Sequence, residues 1–343
     1  MVNLPILSLR MPFPLPSVRL PSLSSFCARG RGRSHRLLAG PKSRMWQGMA
    51  PPVPLRTLPR IFQWAGGKTK MLASYAPLLP QRAPAAYVEP FAGGAALFAH
   101  LCASGRRPGS VLLGDTNGEL MGLYHAIAHD LGTFLDEVRP YDALWAGIDA
   151  DARRTTYYAW RARYWGLDAG EAASTQGSAL LYALMRTSFN GIWQTCAASR
   201  GRFGTPVGLV DKRGGFLQEA ALRAWSEALQ GVQLHTSGFE SLIAPQGAFV
   251  YCDPPYRDSF THYSTGFDDA DQATLVAWCR RQHREQGATV WLANREAGDG
   301  FFEDIAADAV FHRFPVTYTA GRRKKTADGY EAKPATELLM VWS

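Results

Sequence analysis

Tyr87-Val88-Glu89-Pro90-Phe91-Ala92-Gly93-Gly94-Ala95-Ala96-Leu97-Phe98 is the stretch that decides the fold. Its start reads as a short strand ending in an acid, the glycine pair as a turn, and the alanines as the opening of a helix. A strand that passes through glycine into a helix brings a nucleotide-like ligand against bare backbone in a doubly wound sheet. The spacing is not GxGxxG, so no dinucleotide is specified. A second strand, Val111-Leu112-Leu113-Gly114, ends in Asp115 about one βαβ unit later. An acid there is placed to hold ribose hydroxyls, or else to cap a helix over residues 117–126. The expected class is α/β.

Downstream, the apolar run Ala248-Phe249-Val250-Tyr251-Cys252 delivers Asp253-Pro254-Pro255-Tyr256 at a strand end. Consecutive prolines fix φ and carry no N–H, so this turn is stiff and offers acceptors only. A carboxylate, backbone carbonyls and an aromatic face suit a planar exocyclic amine whose lone pair is delocalised into its ring. Acceptors for its two N–H bonds draw the nitrogen toward tetrahedral geometry, and Tyr256 can stack on the ring. Upstream, Gln63-Trp64-Ala65-Gly66-Gly67-Lys68 sets a glycine pair between an aromatic plate and a cation. It reads as a loop that closes over a ligand, or as an ordinary loop with a buried tryptophan.

Trp64-Ala65-Gly66-Gly67-Lys68, Val88-Glu89-Pro90-Phe91-Ala92-Gly93-Gly94, Phe189-Asn190-Gly191 and Asp253-Pro254-Pro255-Tyr256 follow one another in that order. The series closely resembles the Dam-type (D12 class) DNA adenine-N6 methyltransferases, and the likeness runs roughly from Arg60 to Trp342. Four motifs in one order are far more specific than any one alone. The resemblance implies a methyltransferase-type Rossmann-like sheet with an inserted, mainly helical target-recognition domain. It also implies methyl transfer from S-adenosylmethionine to adenine N6 in double-stranded DNA, after the base is flipped out of the stack. On the same ground the cofactor site comprises Trp64, Gly66, Lys68, Glu89, Phe91, Gly93, Gly94, Asp115, Phe239 and Asp253. The catalytic group is Asp253, Pro254, Pro255 and Tyr256. The loop aromatics Phe260, Tyr263 and Phe267 either close over the flipped base or pack in the core.

Phe189, Asn190 and Ile192 match the family's DNA-contacting segment. Family members that methylate within GATC carry Lys before the Trp64 motif and Arg shortly after the Asn-Gly pair; this chain has Gln63 and Gln194. Arg and Lys read guanine N7 and O6, whereas Gln suits adenine N6 and N7. The span from Asn190 to Gly201 is about two residues longer than the common pattern, so Arg200 or Arg202 can substitute. Pro206 keeps a matching place opposite a thymine methyl. The expected target therefore differs from GATC. Rival readings are an RNA adenine methyltransferase, a protein-glutamine methyltransferase (whose motif resembles Asn-Pro-Pro-Tyr), and a catalytically silent DNA-binding regulator.

The net charge of +8 is unevenly distributed. Residues 1–60 hold ten Lys/Arg and no acid, leaving 27 basic against 29 acidic residues in the remainder. Within that remainder, residues 153–223 and the run Arg322-Arg323-Lys324-Lys325 concentrate basic charge, which favours a phosphate backbone or forms a solvated face. Residues 1–58 are proline-broken and read as a disordered basic extension, with Met45 and Met49 as alternative starts. They can also imitate an organelle transit peptide. The catalytic domain is expected over 59–130 and 236–343, and the target-recognition domain over 131–235. Helices are expected at 155–164, 178–186 and 217–228, around a Gly/Arg-rich hairpin at 200–208. Strands resume at 249–252, 289–293, 312–319 and 337–342. Five scattered cysteines without a CxxC pair indicate neither zinc nor disulfides, and fit a reducing compartment; the resemblance implies a cytoplasmic, bacterial or phage-encoded enzyme. No metal ligand set and no membrane-length apolar run is visible. A cognate restriction endonuclease acting separately is compatible with the family; oligomeric state is unreadable.

Overall fold

The computed structural model describes residues 57–64, 66–191, 193–208, 210, 214–257, 266–317, 324–326, 329–331 and 334–343. The extension before Thr57, together with Ile192, Phe260, Tyr263, Arg322 and Arg323, lies outside the described residues. From the deciding stretch the chain builds β1 (Ala86–Glu89), the helix α2 (Ala96–Ala103) that follows a short α1 (Leu72–Tyr75), and β2 (Ser110–Asp115). Later strands are β3 (Gln233–Thr236), β4 (Phe249–Cys252), β5 (Thr289–Arg295), β6 (Val310–Thr317) and, after a small β7–β8 hairpin (Lys324–Thr326, Gly329–Glu331), β9 (Pro334–Trp342).

The main sheet has seven strands in the order β3-β2-β1-β4-β5-β9-β6. β1 to β5 pair in parallel, and β9 inserts antiparallel between β5 and β6. Connections leave β1 toward β2 and β3 on one side, whereas β4 and β5 lie on the other. The order therefore reverses between β1 and β4, and ligands of open α/β sheets bind in the crevice beyond the strand ends at such a point. Glu89 and Asp253 stand at those two ends.

α3 (Gly118–His129) begins at Asn117, whose side chain accepts from the Leu120 N–H at 3.0 Å. The cap is thus Asn117 rather than Asp115. Next come α4 (Leu131–Gly147), α5 (Ala150–Gly166), α6 (Ala169–Ala173), α7 (Thr175–Thr187) and α8 (Glu219–Ala228). Asp149, Asp168 and Ser174 cap α5, α6 and α7 through their side chains. α4, α6, α7 and α8 all pack on α3. Their apolar residues join one face of the sheet in a single core that includes Tyr87, Val111, Leu120, Tyr182, Leu184, Trp225 and Phe249. The opposite face, with Val88, Val250, Val290 and Leu292, is covered by α9 (Asp269–Gln286) and the short α10 (Phe301–Ile305), through Leu275, Val276, Trp278 and Phe302.

Two expectations change. β3 starts at Gln233 and pairs with β2, so the sheet resumes before residue 236. The stretch 200–208 is not a hairpin: Val207 instead bridges Ser188, at the end of α7, and a 3-10 turn spans Ala197–Ser199. Pro206 and the glycines break pairing within the segment but permit one bridge outward.

Candidate active site

β4 presents Asp253 at its end, where the Lys68 ammonium lies 2.7 Å from Oδ1. Lys68 also donates to the Gly66 carbonyl at 2.9 Å and sits 4.4 Å from the Tyr256 ring centroid. The lysine is only 5% exposed, so this pairing is screened far less than a surface ion pair. Burial pushes the Asp253 carboxyl above the usual carboxylate range; Lys68 pulls it down, Glu337 raises it, and the Tyr256 hydroxyl lowers it again. Lys68 of the upstream loop and Asp253 and Tyr256 of the β4 turn therefore meet at one point.

The two prolines do not share one role. Pro255's carbonyl accepts from Gln272 Nε2 at 2.9 Å, and Gln272 Oε1 in turn accepts from Asn294 Nδ2 at 3.0 Å. Asn294 Oδ1 accepts the backbone N–H groups of Arg257 and Arg295 at 3.2 and 2.8 Å. Gln272 and Asn294 are fully buried. Arg257 Nε reaches Asp269 at 2.6 Å, its Nη1 pairs with Asp299, and its guanidinium covers Phe301. The turn is held from α9 and β5 through Pro255, not Pro254. Gln272→Leu is expected to cost about 1–3 kcal/mol in urea unfolding, because two buried polar groups lose their partner. It should also slow single-turnover methyl transfer by roughly tenfold, since small misplacements of reacting groups are costly. Unchanged kinetics would detach this relay from the site.

On the cofactor side, Asp115 accepts the N–H groups of Gly93 and Asn117, each at 2.9 Å. Burial raises its pKa while those N–H groups pull it back. Gly93 lies at φ +44°, and a Cβ there would come within 2.6 Å of Trp64 Nε1. Trp64 thus lies across the glycine turn and seals it. Phe91 and Phe239 are 5.6 Å apart at 32°, with Phe267 edge-on to Phe91 at 5.9 Å. Together they form an aromatic cluster beyond β1, in which Phe239 is the most buried member. Glu89 departs from the expectation of direct ligand contact. It is 2% exposed, and its carboxylate accepts from the Tyr87 hydroxyl at 2.9 Å and from the Phe98 backbone. A side chain so enclosed supports the glycine turn from beneath.

The recognition residues gather on a third edge. Asn190 adopts φ +56°, a conformation its short polar side chain tolerates. A Cβ on neighbouring Gly191 would meet Gln63 Cβ at 2.6 Å, so Gln63 and the Asn-Gly pair lie side by side. Phe189 is 49% exposed and its N–H donates to the Pro206 carbonyl at 2.8 Å. Gln194 is half-buried, and its backbone bonds Thr205 and Gly204. α5 fixes the facing loop: Tyr157 donates to the Thr205 carbonyl at 2.7 Å, Trp165 to Phe203 at 2.9 Å and Arg161 to Gly204 at 2.8 Å. Arg202 is not a free reader, because its guanidinium donates to the Tyr164 carbonyl at 3.1 Å and faces Glu119. Arg200 is exposed. Trp193, which the sequence did not single out, is 5% exposed and packs 5.8 Å from Trp64. It joins the recognition segment to the cofactor turn.

Among the described residues, no cluster of His, Cys, Asp and Glu is arranged to hold a metal ion, and no helix is long and apolar enough to cross a membrane. A doubly wound sheet with Asp253, Lys68 and Tyr256 at its switch point is consistent with a Rossmann-like methyltransferase. The chain belongs to the D12 class N6 adenine-specific DNA methyltransferases, whose family profile matches residues 64–320. It is 28% identical over 293 residues to the Type II methyltransferase M.MjaIII of Methanocaldococcus jannaschii, covering 82% of this chain and 97% of that one. It is 27% identical over 285 residues to the Retron Ec67 DNA adenine methylase of Escherichia coli, covering 82% and 90%. Against the DNA adenine methylase of Escherichia coli K12 the identity is 24% over 290 residues, covering 82% and 94%. The protein is a DNA adenine methyltransferase.

Proposed function

We propose that the methyl donor is S-adenosylmethionine and the acceptor a flipped adenine in duplex DNA. The observation that carries this reading is the meeting of Asp253, Lys68 and the Tyr256 ring at the end of β4, with the Phe91, Phe239 and Phe267 cluster beyond β1. An aromatic cluster with Asp115 at the next strand end fits an adenosine moiety: its outer ring face takes the base, and the acid takes ribose hydroxyls. The acidic side chains Asp115 and Asp253 suit a sulfonium cation. Trp64, Gly66, Phe91, Gly93, Gly94, Asp115 and Phe239 would hold the cofactor, and Lys68 would fix the loop that closes on it. When bound, the cofactor supplies the methyl group.

Asp253 and Pro254 then accept the two N6 hydrogens of the target adenine, and Tyr256 stacks on its ring. Base stacking on an aromatic side chain is worth about 1–3 kcal/mol, enough to offset much of the few kcal/mol needed to extrude the base. Gln63, Phe189, Asn190, Gln194, Arg200 and Pro206 form the reading edge. With glutamines where GATC enzymes carry Lys and Arg, the preferred sequence differs from GATC. Arg322 and Arg323 would add phosphate contacts.

The test is expression of the chain in a host without adenine methylation, followed by single-molecule sequencing of the host DNA. N6-methyladenine at one motif other than GATC is the expected result. Strict GATC modification would overturn the specificity reading and point to Arg200 as the guanine reader. No methyladenine, from soluble protein that binds S-adenosylmethionine, would favour RNA as the acceptor.

A further inference from the structure

The catalytic turn makes one buried contact that its chemistry does not require. Tyr256 donates its hydroxyl to Glu337 Oε1 at 2.5 Å, and Tyr75 donates to the same oxygen at 3.0 Å. Glu337 is 0% exposed. It lies on β9, the antiparallel strand, in register with Arg295 of β5 and Phe314 of β6. Tyr75 is equally enclosed, with its ring 6.0 Å from Trp291 and 5.4 Å from Phe314. The acceptor for the Tyr256 hydroxyl is therefore itself fixed from three elements. Two phenols on one oxygen leave little angular freedom for either ring.

We propose that Glu337 is a positioning residue for methyl transfer: through the Tyr256 hydroxyl it sets the plane of the ring on which the target base stacks. The inference rests on the assignment of Asp253 and Tyr256 to the acceptor site. A tyrosine ring anchored only at Cα can swing about two side-chain torsions; anchored also at its hydroxyl, it presents one face. The hydroxyl also lies near enough to Asp253 to pull its carboxyl down, so releasing it would disturb both the stacking surface and the carboxylate.

The test uses single-turnover methylation of a duplex together with 2-aminopurine fluorescence at the target position. A hydrogen bond to a charged group is stronger than a neutral one, so Tyr256→Phe should slow transfer about tenfold to a hundredfold. Stacking of the flipped 2-aminopurine should weaken, raising its fluorescence, while the dissociation constant for S-adenosylmethionine stays within about twofold. Glu337→Gln keeps shape and an acceptor oxygen, and should slow transfer about threefold to tenfold. In the Tyr256→Phe background the loss from Glu337→Gln should shrink to the effect of its charge on Asp253, because the bond to the ring is gone. Equal losses from Glu337→Gln in both backgrounds, or wild-type rates from Tyr256→Phe, would overturn the proposal. Tyr256→Ala separates the two levels. If it too leaves transfer unchanged, the assignment of Tyr256 to the site fails; if it abolishes transfer while Tyr256→Phe does not, only the role of Glu337 fails.

Discussion

Asp253→Ala is expected to slow methyl transfer by at least about a thousandfold while the chain remains folded. The substitution removes the acceptor that activates a poor nucleophile, and preorganised polar groups of this kind are typically worth a hundredfold to a thousandfold. Loss of alignment at the reacting nitrogen adds to that. Lys68 keeps the Gly66 carbonyl and the face of Tyr256 as partners, but loses a buried ion pair, so a stability loss of about 3–5 kcal/mol is expected and folding is checked by urea titration. Asp253→Asn isolates the charge: its side-chain oxygen still accepts one N–H, and a loss of about a hundredfold is expected. The pH dependence supplies a second readout. Burial holds the Asp253 carboxyl above the ordinary carboxylate range, so the wild-type rate should decline on acidification earlier than an exposed aspartate would give. Asp253→Asn should lack that limb. Near-normal turnover from folded Asp253→Ala protein would remove this residue from the chemistry.

Much of this site is legible in the sequence because its motifs are local. A strand, a glycine turn and a helix start lie within twelve residues at Tyr87–Phe98, and Asp253 follows directly on an apolar strand; such signals survive without tertiary knowledge. Phe249–Cys252 stands where its hydrophobic run places it. What the sequence hid depends on contacts across the fold. Glu337 sits in an apolar strand and gains meaning only because Tyr256, eighty-one positions away, donates to it. Gln272 and Asn294 look like ordinary polar residues until β5 and α9 pack behind the catalytic turn. α4 escapes notice because Pro140 lies inside it, where proline removes a helical hydrogen bond and ordinarily marks an end. α9 is long and strongly polar, yet Asp268 caps its start and Gly287, at φ +58°, ends it. Those two residues are the signal that could have located it. β3 is a short polar edge strand, which carries little hydrophobic pattern to read.

Stability should fall as pH rises from about 4.5 to about 8, and Glu89 should be a principal cause. Desolvation pushes its carboxyl up from 4.5 to about 8, with the negative charges of Asp253 and Asp115 adding to the rise; the Tyr87 hydroxyl and the Phe98 N–H pull against it. The folded chain then holds a proton between these values that the unfolded chain has released. Unfolding releases that proton, so the folded state is favoured at low pH and loses the advantage as pH climbs through the folded pKa. A tenfold difference in proton affinity corresponds to about 1.4 kcal/mol, which makes the full effect of this burial several kcal/mol, on the order of 4–5. Glu89→Gln imitates the protonated carboxyl: its oxygen can accept from Tyr87 and Phe98, and it carries no charge at any pH. Relative to wild type, the variant should therefore gain stability progressively above pH 5 in urea titrations, by roughly 3 kcal/mol at pH 7. The difference between the two profiles reports Glu89 together with its coupling to Asp253 and Asp115. Parallel profiles from pH 5 to 8 would mean that the Glu89 carboxylate is ionised in the folded state, and that a cation or donor holds it there.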